Sequence, residues 1–371
     1  TLHSSFDKIV KSHKKALYIV DCGNDIISKS AYLWDLIKLL KIRNLWFSMC
    51  ESWVIYLILI LFSTFLNANE KIVLQLKWFH QFQFAGYYAA KEKGFYDEVG
   101  LNVEIRQRDL KYNNIDEVIN GNAQYGVADS ILILYRLKQQ PVVIVSPIFQ
   151  HSPSVFISLK KSNISSVYEL NNKDILFYPN DTDGFSLLAM IKKFDLDVNL
   201  VRERYKDDYM RLIKNEVDVI PAYIANEPFL FKEKGYDVNI INPTNYGFDM
   251  YGDMLFTNED EAKNNPIRVE KFKEATLKGW KYALENKEEI IQLINEKYSK
   301  EKSIEHLRYE ANAIDSLINK DVTPLGYLDQ GRIRYISEMY EYYGLTESKI
   351  DLNDFLFDEI SKKDKKLSLS D

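Results

Sequence analysis

Cysteine is nearly missing: of 371 residues only Cys22 and Cys50 are cysteines. From residue 51 onward there is therefore no disulfide framework and no cysteine-based metal centre. An excess of positive charge is missing too, since 48 Lys and Arg stand against 54 Asp and Glu, for a formal charge of −6. That balance excludes the basic footprint a nucleic-acid binder needs. The chain has no G-x-G-x-x-G, no P-loop and no spaced Ser/His/Asp set, so the common phosphate and acyl-transfer motifs are absent. Long apolar runs are scarce as well. The most apolar window, WVIYLILILFSTFLNA at 53–68, is shorter than the ~20 residues a spanning helix usually needs.

What is present is the composition of a folded protein, 46% hydrophobic and 27% charged, with a length suited to two lobes plus extras. Aromatics reach 13%, but Lys, Asn and Ile are abundant too. A coding bias accounts for the count, and only position can give an aromatic residue a role. At the front, Lys38, Lys41 and Arg43 precede the apolar window and Ala68 follows it. This reads as a secretory signal over 49–68 with cleavage near Ala68, or as an uncleaved anchor. Glu51 and Leu66 fit the cleaved signal less well. Residues 1–48 form an unassigned extension.

From Asn69 the pattern alternates. Strands are expected at 71–78, 101–107, 123–129 and 141–149, with helices at 82–94, 115–122 and 130–139 between them. The alternation restarts with strands at 154–160, 174–180, 199–205, 217–224 and 236–242 and helices at 184–194 and 207–215. Such alternation implies βαβ units and a mostly parallel sheet. After about 250 the chain reads as helical, with one long helix over 266–298 and others over 302–319 and 330–343. EVINGNAQYGVADS (117–130) and RLIKNEVDVIPAYI (211–224) align without gaps, which suggests two related lobes. The expected domain is thus 69–355, with lobe I over 69–153 and 248–355 and lobe II over 154–247. A polar linker is expected over 356–371.

In open parallel sheets ligands sit beyond the carboxyl ends of the strands. That directs Asp129 and Ser130 at one strand end, and Tyr223 at the aligned one, toward a shared cleft. Either Asp129 or Ser130 also suits a helix N-cap. His80, Gln81 and Gln83 follow the first strand and can hydrogen-bond a ring edge. His80 has no Cys or second His at metal spacing, which argues against a metal site. Asp129, Asp181, Asp183, Glu227, Asp249 and Asp253 make the expected cleft rim acidic, which disfavours an anion and favours a ligand with amino or protonated-ring donors; Glu227 and Asp183 lead this group. Tyr223 and Tyr251 are candidates for one side of an aromatic sandwich. Phe84, Ala85, Tyr87, Tyr88, Ala89 and Ala90 are core by helical spacing.

LQLKWFHQFQFAGYYAAKEKGFYDEVGLNVEI (74–105) resembles the opening of the thiamine-pyrimidine-precursor-binding and thiamine pyrimidine synthase-like superfamily. Further matches are GNAQYGVADS (121–130), AYIANEPFL (222–230), YGDMLFT (251–257) and ATLKGWKYALENKEEII (275–291). The resemblance, over about 70–355, implies an α/β, two-lobed type II periplasmic-binding-protein fold with its ligand cleft between the lobes. It implies that Trp78 stacks on a heterocycle. DVTPLGYLDQGRIRYISEMYEYYGL (321–345) resembles the end of such a module used as the sensor half of a bacterial membrane signalling protein. The resembling synthases carry a pyridoxal-bearing lysine two residues past the third-strand glycine, a histidine four residues later and a cysteine cluster. Here Ala128 and Leu132 stand at the first two places and the cluster is missing. An alanine cannot form a Schiff base.

The expectation is an exported solute-binding or sensor domain, without cofactor or metal, for a small heteroaromatic such as a thiamine pyrimidine precursor. Its partner would be an ABC permease or its own membrane signalling output, and it would lie in the periplasm or be anchored with the domain outside the cytoplasm. The alternatives are a thiamine pyrimidine synthase-type enzyme and a protein-interaction module.

Overall fold

A computed structural model describes residues 69–177, 185–201, 208–347, 349, 351–352 and 354–367. The chain divides into the units Thr1–Ala68 and Asn69–Asp371, and all of these residues belong to the second. The 1–48 extension, the 49–68 signal or anchor, Asp181 and Asp183 lie outside the described residues.

The apolar segments that follow Asn69 assemble a five-stranded sheet. Its strands are β1 (Glu70–Gln75), β2 (Leu101–Arg106), β3 (Tyr125–Ala128), β4 (Val142–Pro147) and, from much later in the chain, β10 (Met254–Asn258). The order is β2-β1-β3-β10-β4. β1 runs parallel to β2 and β3, whereas β10 is antiparallel to both β3 and β4. β3 and β4 are buried at every position, while β2, at the edge, alternates buried with exposed.

A second group holds β5 (Ser154–Leu159), β6 (Asp174–Leu176), β7 (Asn199–Val201), β8 (Ile220–Tyr223) and β9 (Val238–Ile241). β5 lies antiparallel between β8 and β9, β6 pairs parallel with β7, and a single bridge from Ile175 to Val219 joins β6 to the approach of β8. Read across, the order is β7-β6-β8-β5-β9, the counterpart of β2-β1-β3-β10-β4. β3 and β8, which hold the aligned segments of the internal repeat, occupy the same place in the two sheets.

Each sheet is therefore mixed, where the sequence pattern pointed to a mostly parallel one. The reason is the route of the chain: it crosses once at 148–153 and returns at 242–253, so β5 and β10 enter their sheets from the opposite end. The two crossovers lie side by side, with Gly252 N donating to Phe149 O at 3.1 Å and the amides of Ile148 and Phe149 donating to Asp253 O. A Cβ on Gly252 would stand 2.7 Å from His151 O, so this approach requires glycine.

The helix Ala85–Glu92 packs against the helix Pro266–Glu285 through two glycines. A Cβ on Gly279 would meet Gly86 O at 2.2 Å, and one on Gly86 would meet the Trp280 ring at 2.1 Å. Phe84, Ala85, Tyr87, Tyr88, Ala89 and Ala90 are all buried here, as their spacing implies. The expected helix over 266–298 is two, Pro266–Glu285 and Lys287–Lys297, broken at Asn286, whose φ of −128° and ψ of 45° are not helical. β10 lies where the chain read as helical. Residues 356–371, read as a linker, instead begin with a helix, Phe357–Leu367, anchored by buried Leu356, Phe357 and Ile360. Just before it, Phe355 O accepts from Ile144 N at 2.8 Å, which ties this segment to the edge strand β4.

Candidate functional site

β1 ends at Gln75, but the chain stays buried through Leu76 and Lys77. The Lys77 side chain is only 2% exposed, and its ammonium lies 3.5 Å from Asp129 Oδ2 and 3.3 Å from Asp253 Oδ1. It donates to Tyr223 Oη at 2.6 Å and stands 5.3 Å from the centre of that ring. Asp129 follows β3, Tyr223 ends β8, and Asp253 precedes β10, which runs the other way. The carboxyl ends of β1, β3 and β8 thus meet the start of β10 at one point between the sheets. A buried ammonium is tolerable there because carboxylates face it.

A second pair, half-buried Lys302 with buried Glu310, lies beside the first. Lys302 bonds Glu310 and Gln81, and it donates to Asn226 Oδ1 at 2.6 Å. The other Glu310 oxygen accepts from Phe82 N at 2.9 Å. Burial pushes the Glu310 carboxyl above its ordinary pKa, against the opposing pull of Lys302. Burial also raises Glu227, opposed by its bond from Tyr223 N and by Lys302.

The two pairs are joined into a closed circuit. Lys77 faces Asp253, which accepts from Gln83 Nε2 at 2.8 Å; Gln83 accepts from Gln81 at 2.5 Å, and Gln81 from Lys302. From Lys302 the path runs through Asn226 to Glu227, which accepts from Asn226 Nδ2 at 2.6 Å and from Tyr223 N at 2.7 Å. Tyr223 returns it to Lys77. Five members come from the lobe built on the first sheet, and Tyr223, Asn226 and Glu227 from the other.

The expected site residues divide. Gln83, Asp129, Tyr223 and Glu227 gather in or beside this circuit. Trp78 is half-buried next to it in sequence, edge-on to Phe79 at 5.3 Å and packed against the core. His80 is engaged elsewhere: its Nδ1 is 2.9 Å from Tyr88 Oη, its ring 5.3 Å from Tyr298, and burial and then Lys91 lower its pKa. Asp129 Oδ1 accepts from Ile131 N, the first amide of the next helix, at 2.9 Å, although the N-cap position itself is Ser130. Ser130 Oγ donates to Tyr251 O at 2.6 Å. Tyr251 is buried under Arg332, whose guanidinium lies 4.2 Å from its ring centre, and its hydroxyl accepts from Asp329 N. Of the two rings expected on one side of an aromatic sandwich, Tyr223 has the Lys77 ammonium 5.3 Å from its centre and Tyr251 has the Arg332 guanidinium 4.2 Å from its centre.

The described acids of the expected rim are likewise engaged within the protein. Asp129 and Asp253 face Lys77, Glu227 accepts from the chain beside it, and Asp249 bonds His151 at 2.8 Å and Arg332 at 3.0 Å. Sequence reasoning missed Lys77, Asn226, Lys302 and Glu310. Only Lys77 left a signal, a charge set between Leu76 and Trp78 at the end of an apolar strand. Among the described residues no cluster of three or more His, Cys, Asp or Glu is arranged to hold a metal ion.

Residues 81–290, more than half of the chain, match the NMT1/THI5 like family, and the chain belongs to that family. It is 26% identical over 236 residues to the riboflavin-binding protein RibY of Chloroflexus aurantiacus, covering 60% of this chain and 65% of that protein, just under two thirds of its length. It is 24% identical over 234 residues to the formylaminopyrimidine-binding protein of Halalkalibacterium halodurans, covering 62% and 71%. Among solved structures it is similar to the periplasmic aliphatic sulphonate binding protein SsuA of Escherichia coli, with a TM-score of 0.59, 13% identity, and coverage of 78% of this chain and 98% of that one. The fold is that of the periplasmic binding proteins, two lobes with a cleft between them.

Proposed function

We propose that this chain is a solute-binding module whose interlobe cleft takes a flat nitrogen heterocycle of the pyrimidine or flavin class. The observation that carries this reading is the meeting of strand ends from both lobes at one polar circuit, buried at Lys77, Gln81, Gln83 and Asp253 and half-buried at Lys302, Tyr223, Asn226 and Glu227, with Trp78 and Phe79 directly after Lys77 in the chain. Pockets of this kind pair aromatic surface with a few fixed polar groups. The names of the riboflavin- and formylaminopyrimidine-binding relatives support the same ligand class. Lys77 faces two carboxylates rather than offering an unmatched cation, which speaks against an anionic solute. Buried Ala128, where the resembling synthases carry their lysine, speaks for binding over synthesis.

In this reading the module works outside the cytoplasm and hands its solute to an ABC permease, or reports it to a membrane signalling output of its own. Riboflavin, thiamine and an N-formyl aminopyrimidine, titrated into the purified protein and followed by tryptophan fluorescence and calorimetry, test it. Saturable binding of one of them without turnover is expected. Binding of an alkanesulfonate in preference to all three would overturn the ligand class, and a pyridoxal-type absorbance would overturn the binding role.

A further inference from the structure

The helix Gln330–Tyr342 shares no residue with the circuit of Lys77 and Lys302, and it leaves large rings in the open. Tyr335 is 49% exposed and Tyr342 82%. Seven residues apart, they stand on one face of the helix, two turns from each other. Both rim a surface cavity of about 290 Å³, whose other walls include Phe248, Tyr343 and Lys193. Lys193 ends the helix Phe185–Lys193. Its ammonium donates to Tyr246 O at 2.9 Å and lies 5.0 Å from the Phe248 ring centre and 5.7 Å from that of Phe194.

The rings run on in both directions. Phe248 is 6.0 Å from Tyr343, and Tyr343 is 5.0 Å from Tyr342. On the other side Phe194 is 5.4 Å from Tyr168, which is 69% exposed. A ribbon of aromatic surface thus ends on an exposed tyrosine at either end. Single exposed apolar residues are ordinary, but a contiguous patch around a cavity marks a binding surface. Tyrosine and methionine are enriched where proteins meet.

We propose that a second copy of this chain docks on this face, with the two Gln330–Tyr342 helices packed together about a two-fold axis. The charges single out that occupant. Going round the helix at 100° per residue, Glu338 stands on one side of the Tyr335–Tyr342 pair. Met339 and Tyr343 stand on the other side, and Lys193 walls the cavity beyond them. Lys192, which donates to Tyr343 O at 2.6 Å, adds to the lysine flank. Arg334 and Glu341, next round the helix, are of opposite sign and leave the balance unchanged. Among the described residues neither Lys193 nor Glu338 joins an ion pair within its own chain; Lys193 bonds a carbonyl instead. A two-fold rotation lays the lysine flank of one copy on the glutamate flank of the other, and does so twice. A strongly acidic or basic partner would suit one flank and be repelled by the other. The inference does not rest on the solute-binding reading.

Sedimentation of the full chain, from low micromolar to near-millimolar concentration, tests it. Dimers are expected. Tyr342→Arg, at an exposed position where folding tolerates change, should raise the dimer Kd about thirtyfold or more, the effect of losing an aromatic anchor from both copies. Lys193→Glu and Glu338→Lys should each weaken the dimer, because like charges then face each other at both flanks. An equimolar mixture of these two variants should restore it, since each altered flank meets its opposite in the partner. Melting curves verify folding, and Tyr342→Arg decides alone if a charge variant does not fold. A chain that stays monomeric overturns the inference, and is the result if the face takes a small molecule or an unrelated protein. Dimers that survive Tyr342→Arg, as association through the apolar 53–68 window would, overturn it too. So does a mixture that associates no more tightly than its components.

Discussion

The first lobe has two seams of opposite character. Where the helix Ala85–Glu92 meets Pro266–Glu285, the contact is apolar and so close that backbone at Gly86 would touch any side-chain carbon at Gly279. Where the same lobe meets the second, the contacts among the described residues include hydrogen bonds from Lys77 to Tyr223, Lys302 to Asn226, Tyr309 to Ile224 O and Ser303 to Glu233. A close-packed seam has one arrangement and resists any change in volume. A seam of a few hydrogen bonds exchanges its partners with water at modest cost. The first kind suits the inside of a rigid body, and the second suits a boundary that opens.

Four substitutions break or sharpen this contrast. Lys302→Met has the largest expected effect, since it leaves Glu310 buried without its cation. A loss of about 3–5 kcal/mol in urea unfolding is expected, and adding Glu310→Gln recovers most of it. Gly279→Val forces the helix seam apart and costs about 1–3 kcal/mol or more, with no effect on lobe separation; an increased radius of gyration in the folded variant would contradict the rigidity argued for that seam.

His306 gives an effect of pH. It stacks on Phe229, with Glu233 3.9 Å from Nδ1 and Lys302 nearby, and burial lowers its pKa from 6.5 to about 4. The folded form then binds fewer protons than the unfolded chain in this interval. Its contribution is present above the unfolded value and is lost as pH falls from about 6.5 through about 4. Melting curves across that range should fall less steeply in His306→Gln. The smallest effect belongs to Tyr223→Phe, expected to cost about 1 kcal/mol or less of global stability, because it removes a bond from the seam that opens.

Much of the first lobe was legible in the sequence. β1 and the helix Ala85–Glu92 announce themselves through an apolar run and helical spacing, both local signals. β10 did not, because its five residues MLFTN sit between a loop and two helices, and it becomes a strand through β3 and β4, far back in the chain. The helix Phe357–Leu367 was hidden by its lysines, while the residues that anchor it, Leu356, Phe357 and Ile360, are few. At the site, the strand ends that carry Asp129 and Tyr223 followed from the repeat. The role of Lys77 did not, since its partners lie 52 and 146 residues away. Nor did that of Tyr251, for nothing near it in sequence indicates that Arg332 covers its ring.

The antiparallel strand in each sheet also bears on how the chain reaches its final form. β10 lies between β3 and β4, yet it emerges only after the whole second lobe has been made. Until then β3 and β4 lack the neighbour that joins them, and the first sheet is in two pieces. Pairings of such long sequence separation carry a large loop-closure cost and form slowly. The first lobe therefore cannot finish before the second, and a fragment that ends ahead of Met254 would hold most of a lobe's residues without the strand that completes its sheet.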